Sequence, residues 1–216
     1  ILVFLPGEGE IKEMAHFLRK QLQNRYEILP VHARLAARDQ DRIFSPGNLP
    51  RIILATNVAE TSITIPGIRH VIDPGWAKIK RQDHRGGIQR LALEKISRAS
   101  ADQRKGRCGR TGPGICIRLY SEEDYLQRPP FTDPEILRTA LAATILGMNA
   151  QGLGNIEQFP FMDPPSPSAI REGWKLLTEL GAVDPRGHLT PIGKQLARLP
   201  VDPRLGRMIL AAAPLQ

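Results

Sequence analysis

Ile1-Leu-Val-Phe-Leu-Pro-Gly-Glu-Gly-Glu-Ile11 passes from a short apolar run to a turn and then to an acidic helix start. Five apolar residues in succession suit a parallel strand buried on both faces. Pro6-Gly7 turns the chain, and Glu8 and Glu10 stand where carboxylates favour the first turn of a helix. Ile11, Met14, Ala15, Leu18 and Leu22 then recur at three- and four-residue spacing, one apolar stripe. The same alternation continues outward. Tyr26 to Val31 reads as a strand, Leu35 to Phe44 as a helix, Arg51 to Ala55 and Ile68 to Ile72 as strands, residues 100–110 as a helix and Ile115 to Tyr120 as a strand. Residues 76–97, with Gly86-Gly87 between two moderately apolar arms, read as a β-hairpin insertion. Strands alternating with helices imply an α/β fold, a parallel sheet with helices on both faces. Ligands of such sheets sit beyond the carboxyl ends of the strands, so chemistry is expected in the loops after Leu5, Val31 and Ala55.

Near residue 121 the pattern changes. Pro129-Pro130 and Pro134 mark a boundary, after which the chain is mainly helical. Ala169 to Leu180 carries Ile170, Trp174, Leu177 and Leu180 on one stripe, with Gly181 at its end. The turn Asp184-Pro-Arg-Gly187 leads to Thr190-Pro191, a helix cap followed by a first-turn proline. Helix, helix, tight β-wing and helix make a small winged-helix domain. The expected organisation is therefore an α/β domain over 1–125, a winged helix over 126–200, and a further helical domain beginning at 201–216. Strand-like residues at one end and an apolar helical pattern at the other suggest a piece of a longer chain.

A composition of 41% hydrophobic and 24% charged residues is that of an ordinary soluble globular protein. No apolar run approaches the roughly 20 residues that span a bilayer, so no membrane partner is expected. Two cysteines, Cys108 and Cys116, fit a reducing cytoplasmic setting, and five scattered histidines suggest no metal site. The net charge is +8, and residues 78–110 hold eleven basic and three acidic residues, which accounts for all of that excess. Such a concentration suggests a polyanion partner, a solvated basic face being the other reading.

Within this stretch lies Gln103-Arg-Lys-Gly-Arg-Cys-Gly-Arg110. At ~100° per helical residue, Gln103, Arg107 and Arg110 fall within ~60° of one another. Massing these arginines beside Arg104 and Lys105 is unfavourable unless an anion arrives, and two guanidinium forks suit a phosphate. Gly106 and Gly109 each cost about 1 kcal/mol in a helix interior, so something else should require them, close approach to a neighbouring surface being one such reason.

Gln103 to Arg110 resembles motif VI, QRxGRxGR, of superfamily 2 helicases, and its Gln is similar to the DEAH/RHA group rather than the DEAD-box group. Leu5 to Ile11 resembles motif IV, and Ala55-Thr-Asn-Val-Ala-Glu-Thr-Ser-Ile-Thr-Ile65 resembles motif V. Val71-Ile-Asp-Pro-Gly75 and Ile96 to Gln103 follow as in that family. Phe159 to Pro165 and the segment ending at Ala182 resemble the winged helix of DEAH helicases, with wording similar to the bacterial HrpA type. The resemblance implies the second RecA-like lobe of a DEAH-box RNA helicase.

It implies further that Arg107 and Arg110 are arginine fingers on the terminal phosphates of ATP, with Gln103 ordering the γ-phosphate and attacking water. Thr64 would touch the nucleotide, and Phe44 would pack on the adenine, simple core packing being the alternative for that ring. Pro66 stands where several members have an acidic residue that contacts the ribose, which leaves base selectivity open. Arg34, Asn57, Thr61, Ser62 and Lys78 would contact the backbone of single-stranded RNA, or of a duplex with a single-stranded tail. Turn and cap roles are the alternative for Asn57, Thr61 and Ser62. The basic hairpin would separate strands or guide RNA between lobes, and with only 5% aromatic residues, base stacking should be minor.

No G-x-x-x-x-G-K-[S/T] and no Asp-Glu-x-His occurs in the chain, so ATP and Mg²⁺ are expected mainly on a first lobe outside it. A non-enzymatic winged-helix module for nucleic acid is the competing reading. Against it, residues 131–200 carry no basic excess, and the helix Ala169–Leu180 has only Arg171 and Lys175.

Overall fold

The computed structural model describes residues 1–23, 25–45, 47–82 and 89–212, so the Gly86-Gly87 turn lies outside the described residues. Two compact units emerge. One comprises residues 1–79 with 91–132, and the other the described parts of 80–90 and 133–216.

The first unit is built from β1 (Leu2–Phe4), α1 (Glu8–Leu22), β2 (Glu27–Val31), α2 (Ala37–Phe44), β3 (Arg51–Ala55), α3 (Val58–Thr61) and β4 (His70–Asp73). After β4 come the ribbon strands β5 (Trp76–Gln82) and β6 (Gln89–Lys95), of which residues 80–82 and 89–90 fall in the second unit, then α4 (Arg98–Lys105), β7 (Ile115–Arg118) and α5 (Glu122–Gln127). Five strands pair in parallel in the order β2-β3-β1-β4-β7, and β5-β6 form a separate two-stranded sheet. The alternation of buried side chains explains the layers. Leu2, Phe4, Leu29, Val31, Ile53 and Ala55 join one core with Ile43 of α2 and Ala59 of α3. Ile28, Ile52 and Leu54 join another with Ile11 and Ala15 of α1. On the edge strand β7, by contrast, Ile115 and Ile117 remain exposed.

The sequence-based boundaries hold to within a residue or two for most elements. Helix α4 is the exception. It ends at Lys105, with Gly106 as its C-cap, rather than running to Arg110. Ser97 caps its start by accepting from the Ser100 amide at 3.2 Å.

The second unit carries α6 (Glu135–Arg138), α7 (Ala142–Ala150), α8 (Pro167–Glu179), α9 (Pro191–Leu196) and α10 (Pro203–Ala212). Ile145, Leu146, Ile170, Leu177 and Leu196 form its core. Gly181 follows α8 at φ 67°, a left-handed conformation that glycine adopts without strain. A single antiparallel bridge, Val183 to Leu189, frames the turn 184–187 as the wing. Thr190 caps α9 by accepting from the Gly193 amide at 3.0 Å, with Pro191 at the first helical position.

Candidate nucleotide and RNA site

Beyond Lys105 the chain leaves the helix in a tight turn, with the Arg107 amide donating to the Arg104 carbonyl at 3.1 Å. The loop then folds back so closely that a Cβ on Gly114 would lie 2.1 Å from the Cys108 carbonyl oxygen. Arg107 and Arg110 therefore do not share a helical face with Gln103. They converge instead through the loop after α3. Arg107 donates to the Ile63 carbonyl at 3.2 Å, and Arg110 donates to the Thr64 hydroxyl. Among the described residues neither glycine is crowded. Gly106 is a helix cap in ordinary contact, and a Cβ at Gly109 would meet nothing within 4 Å.

Neither guanidinium is ion-paired among the described residues. Arg107 is 8% exposed, Arg110 is exposed, and Gln103 on the last turns of α4 is exposed. Burial lowers the Arg107 pKa, and the neighbouring Arg110 charge lowers it further, with Glu60 partly opposing. Two like charges held together without a carboxylate bound to either are electrostatically ready for an anion.

Arg104 is a different case, and the expectation that it adds to an unneutralised cluster is overturned. It is fully buried and already neutralised: its Nε donates to Glu60 Oε1 and its Nη1 to Asp73 Oδ1, each at 2.7 Å. Its guanidinium also lies 4.6 Å from the centre of the Phe4 ring. Ser100 completes the Glu60 side, donating to Oε2 at 2.6 Å. Sequence reasoning grouped Arg104 with the fingers because its partners lie 44 and 31 positions away.

Phe44 is 50% exposed at the end of α2, which overturns simple core packing for its ring. With Ile43, Leu49, Pro66, Gly67 and Ile68 it lines an open cleft of about 420 Å³. The segment 63–68 thus runs from the residues that receive the two arginines, Ile63 and Thr64, to the Pro66–Ile68 side of this cleft.

Asn57 precedes α3, is exposed and makes no side-chain cap bond, while Thr61 and Ser62 are exposed with their hydroxyl oxygens 3.5 Å apart. Arg34 is exposed in the loop after β2. Lys78 is engaged: its ammonium donates to both carboxylate oxygens of Glu10 in α1, at 2.8 and 2.9 Å, and this bond holds the Glu10 carboxyl below the usual carboxylate range. Among the described residues no group of three His, Cys, Asp or Glu could hold a metal ion, and no helix is long and apolar enough to cross a membrane.

A parallel sheet that carries unneutralised guanidiniums, a hydroxyl and an aromatic cleft on its loops is consistent with a RecA-like helicase lobe. Comparison with known proteins agrees: the family described as helicase conserved C-terminal domain matches residues 1–112, and the winged-helix helicase associated domain matches residues 173–201. The chain belongs to the helicase conserved C-terminal domain family, in its DEAH/RHA group. It is 58% identical over 219 residues to the ATP-dependent RNA helicase HrpA homolog of Haemophilus influenzae, covering 98% of this chain and 17% of that protein. Identity to the ATP-dependent RNA helicase HrpA of Escherichia coli is 57% over 217 residues, again 98% and 17%. The crystal structure of the Escherichia coli DEAH/RHA helicase HrpB superposes with a TM-score of 0.86 at 34% identity, covering 98% of this chain and 27% of that one. The chain therefore spans about a sixth of the curated relatives it matches.

Proposed function

We propose that this chain is the second ATPase lobe, with its winged helix over 126–200, of an ATP-dependent RNA helicase. The observation that carries the reading is the pair Arg107 and Arg110, set on Ile63 and Thr64 without a carboxylate partner. The residues present fit ATP in part. Two cations suit its terminal phosphates, and the cleft at Phe44 offers an aromatic face to its base. They do not form a carboxylate cage, so Mg²⁺ and the phosphate cradle fall to a first lobe.

Bound ATP supplies the phosphoryl group that is transferred. Arg107 and Arg110 stabilise the charge on its equatorial oxygens as the bond breaks, an effect worth ~10³–10⁵ in rate in related NTPases. Gln103, exposed on the last turns of α4, orients the attacking water. Thr64 holds Arg110 aimed until the phosphate replaces it as acceptor. Asn57, Thr61, Ser62 and Arg34 contact the RNA backbone, and Lys78 joins them by exchanging Glu10 for a phosphate. Hydrolysis releases the two arginines and with them the closure of the lobes.

The test is steady-state ATPase and RNA binding of the full-length protein with Arg107→Ala. Lost turnover with RNA affinity kept within a few-fold supports the assignment, and near-normal turnover removes Arg107 from catalysis. The 216-residue chain alone should show background ATPase only.

A further inference from the structure

The buried ions around Arg104 do not stop at Glu60 and Asp73. The second Asp73 oxygen accepts from the Tyr120 hydroxyl at 2.8 Å. The Tyr120 ring lies under the Arg128 guanidinium at 3.9 Å. Arg128 is itself buried, is anchored on Asp124 at 2.7 Å, and donates to two carbonyls, Gly75 at 2.9 Å and Ile96 at 3.3 Å. Those carbonyls flank the ribbon, Gly75 immediately before β5 and Ile96 immediately after β6. The Gly75 amide closes the circuit by donating to Asp73 Oδ1 at 2.9 Å. Gly75 has φ 80°, and a Cβ there would lie 2.6–2.7 Å from Arg128 and Tyr120, so the chain is packed without slack at this point.

One end of the chain of contacts is Glu60, in α3, directly followed by Thr61 and Ser62, which face the proposed RNA path, and by Ile63 and Thr64, which receive Arg107 and Arg110. The other end is the root of the ribbon. We infer that Arg104, Asp73, Tyr120 and Arg128 are positioning residues that tie segment 60–64 to the ribbon root, so that engagement of nucleotide at the arginines fixes that root. This deepens the function proposed above and rests on it. The physical reason lies in burial. Charged groups out of water cannot separate without leaving an uncompensated charge, so a shift at Glu60 is followed by Arg104, then Asp73 and its partners. A purely structural filler for the same space would be apolar and as stable. The polar chain adds directional bonds, and it places them at both functional ends.

Backbone amides within the circuit report on it directly. Ser62 donates to the Val58 carbonyl at the α3 end, while Gly75 and Ile96 donate at the ribbon root. In the full-length protein, hydrogen exchange is measured with and without a non-hydrolysable ATP analogue and Mg²⁺, for the unsubstituted protein and for Tyr120→Phe. That variant keeps the ring under Arg128 and loses only the hydroxyl on Asp73. The analogue should slow exchange at 60–64 and at Gly75 and Ile96 by about fivefold or more in the parent, and in Tyr120→Phe the slowing at Gly75 and Ile96 should shrink relative to that at 60–64 without vanishing, because Arg104 still donates to the Trp76 carbonyl and Asp73 still accepts from the Gly75 amide. Because each protein is its own reference, a uniform loss of stability does not mimic this pattern. If Tyr120→Phe does not fold, Arg128→Lys, which keeps the charge and loses the fork, is read the same way. Undiminished slowing at the ribbon root in the variant, or slowing at 60–64 alone in the parent, overturns the inference and leaves the functional reading intact. Slowing at neither end in the parent overturns both.

Discussion

The two units are stabilised in different ways. In the second, the buried residues are apolar: Leu141, Ile145, Leu146, Ile170, Leu177 and Leu196 close around one another as in an ordinary helical core. In the first, Glu60, Asp73, Ser97, Arg104, Arg107 and Arg128 are all buried within residues 60–128, and the described residues include no buried charge outside that range. Burying ions gives little net stability over a well-packed apolar core. Their confinement to the unit that carries the arginine pair teaches that this unit gives up optimal packing for electrostatic alignment, and the other does not.

The contrast can be broken at its strongest point first. Arg107→Ala in the full-length protein should lower ATP turnover by about 10³–10⁵ while leaving the unfolding midpoint nearly unchanged. Unfolding of the first unit by that substitution would move Arg107 into the same class as Arg104. Arg104→Ala should instead destabilise the first unit by about 3–5 kcal/mol, because Glu60 and Asp73 are left charged and unpaired. The chain has two tryptophans, Trp76 in the first unit and Trp174 in the second, so urea unfolding of single-tryptophan variants reads the units apart. Leu177→Ala should cost about 2–5 kcal/mol, seen at Trp174 and independent of pH, as befits a cavity among apolar neighbours. A pH-dependent loss there would contradict an apolar core.

The smallest effect is expected at Lys78→Met. The Lys78–Glu10 pair has side chains 34% and 38% exposed, which limits its contribution to about 1 kcal/mol or less. The Glu10 carboxyl titrates below its ordinary value when folded, so the contribution is present above the usual carboxylate range and is lost as pH falls through the lowered value. Parent and variant should therefore converge in acid and differ near neutrality. A difference that grows on acidification would show that the pair is not formed.

Much of this arrangement could be read from the chain. Ile1 to Leu5 and Ile52 to Ala55 are short apolar runs that suit buried parallel strands, and the motif V and VI segments indicated which loops carry charge. The end of α4 was misread because arginines continue good helical spacing, whereas Gly106, a helix terminator, signalled the stop. Arg104 could not be told from Arg107 by spacing, since its counter-ions come from α3 and the end of β4. One clue was available: Asp73 is a lone acid at the end of an apolar strand, and such a carboxylate has to find a cation. Glu10 and Lys78, 68 positions apart, gave no local sign of pairing.

Arg104 is shared by two carboxylates brought from separate elements, and this constrains how such a sequence can drift. Losing any one of Glu60, Asp73 or Arg104 alone strands a charge, whereas exchanging all three for apolar residues of equal volume is close to neutral for folding. The trio is thus expected to be kept or lost as a block, and a lineage that kept its ions after gaining the chance to discard them together would reveal selection acting on something other than stability.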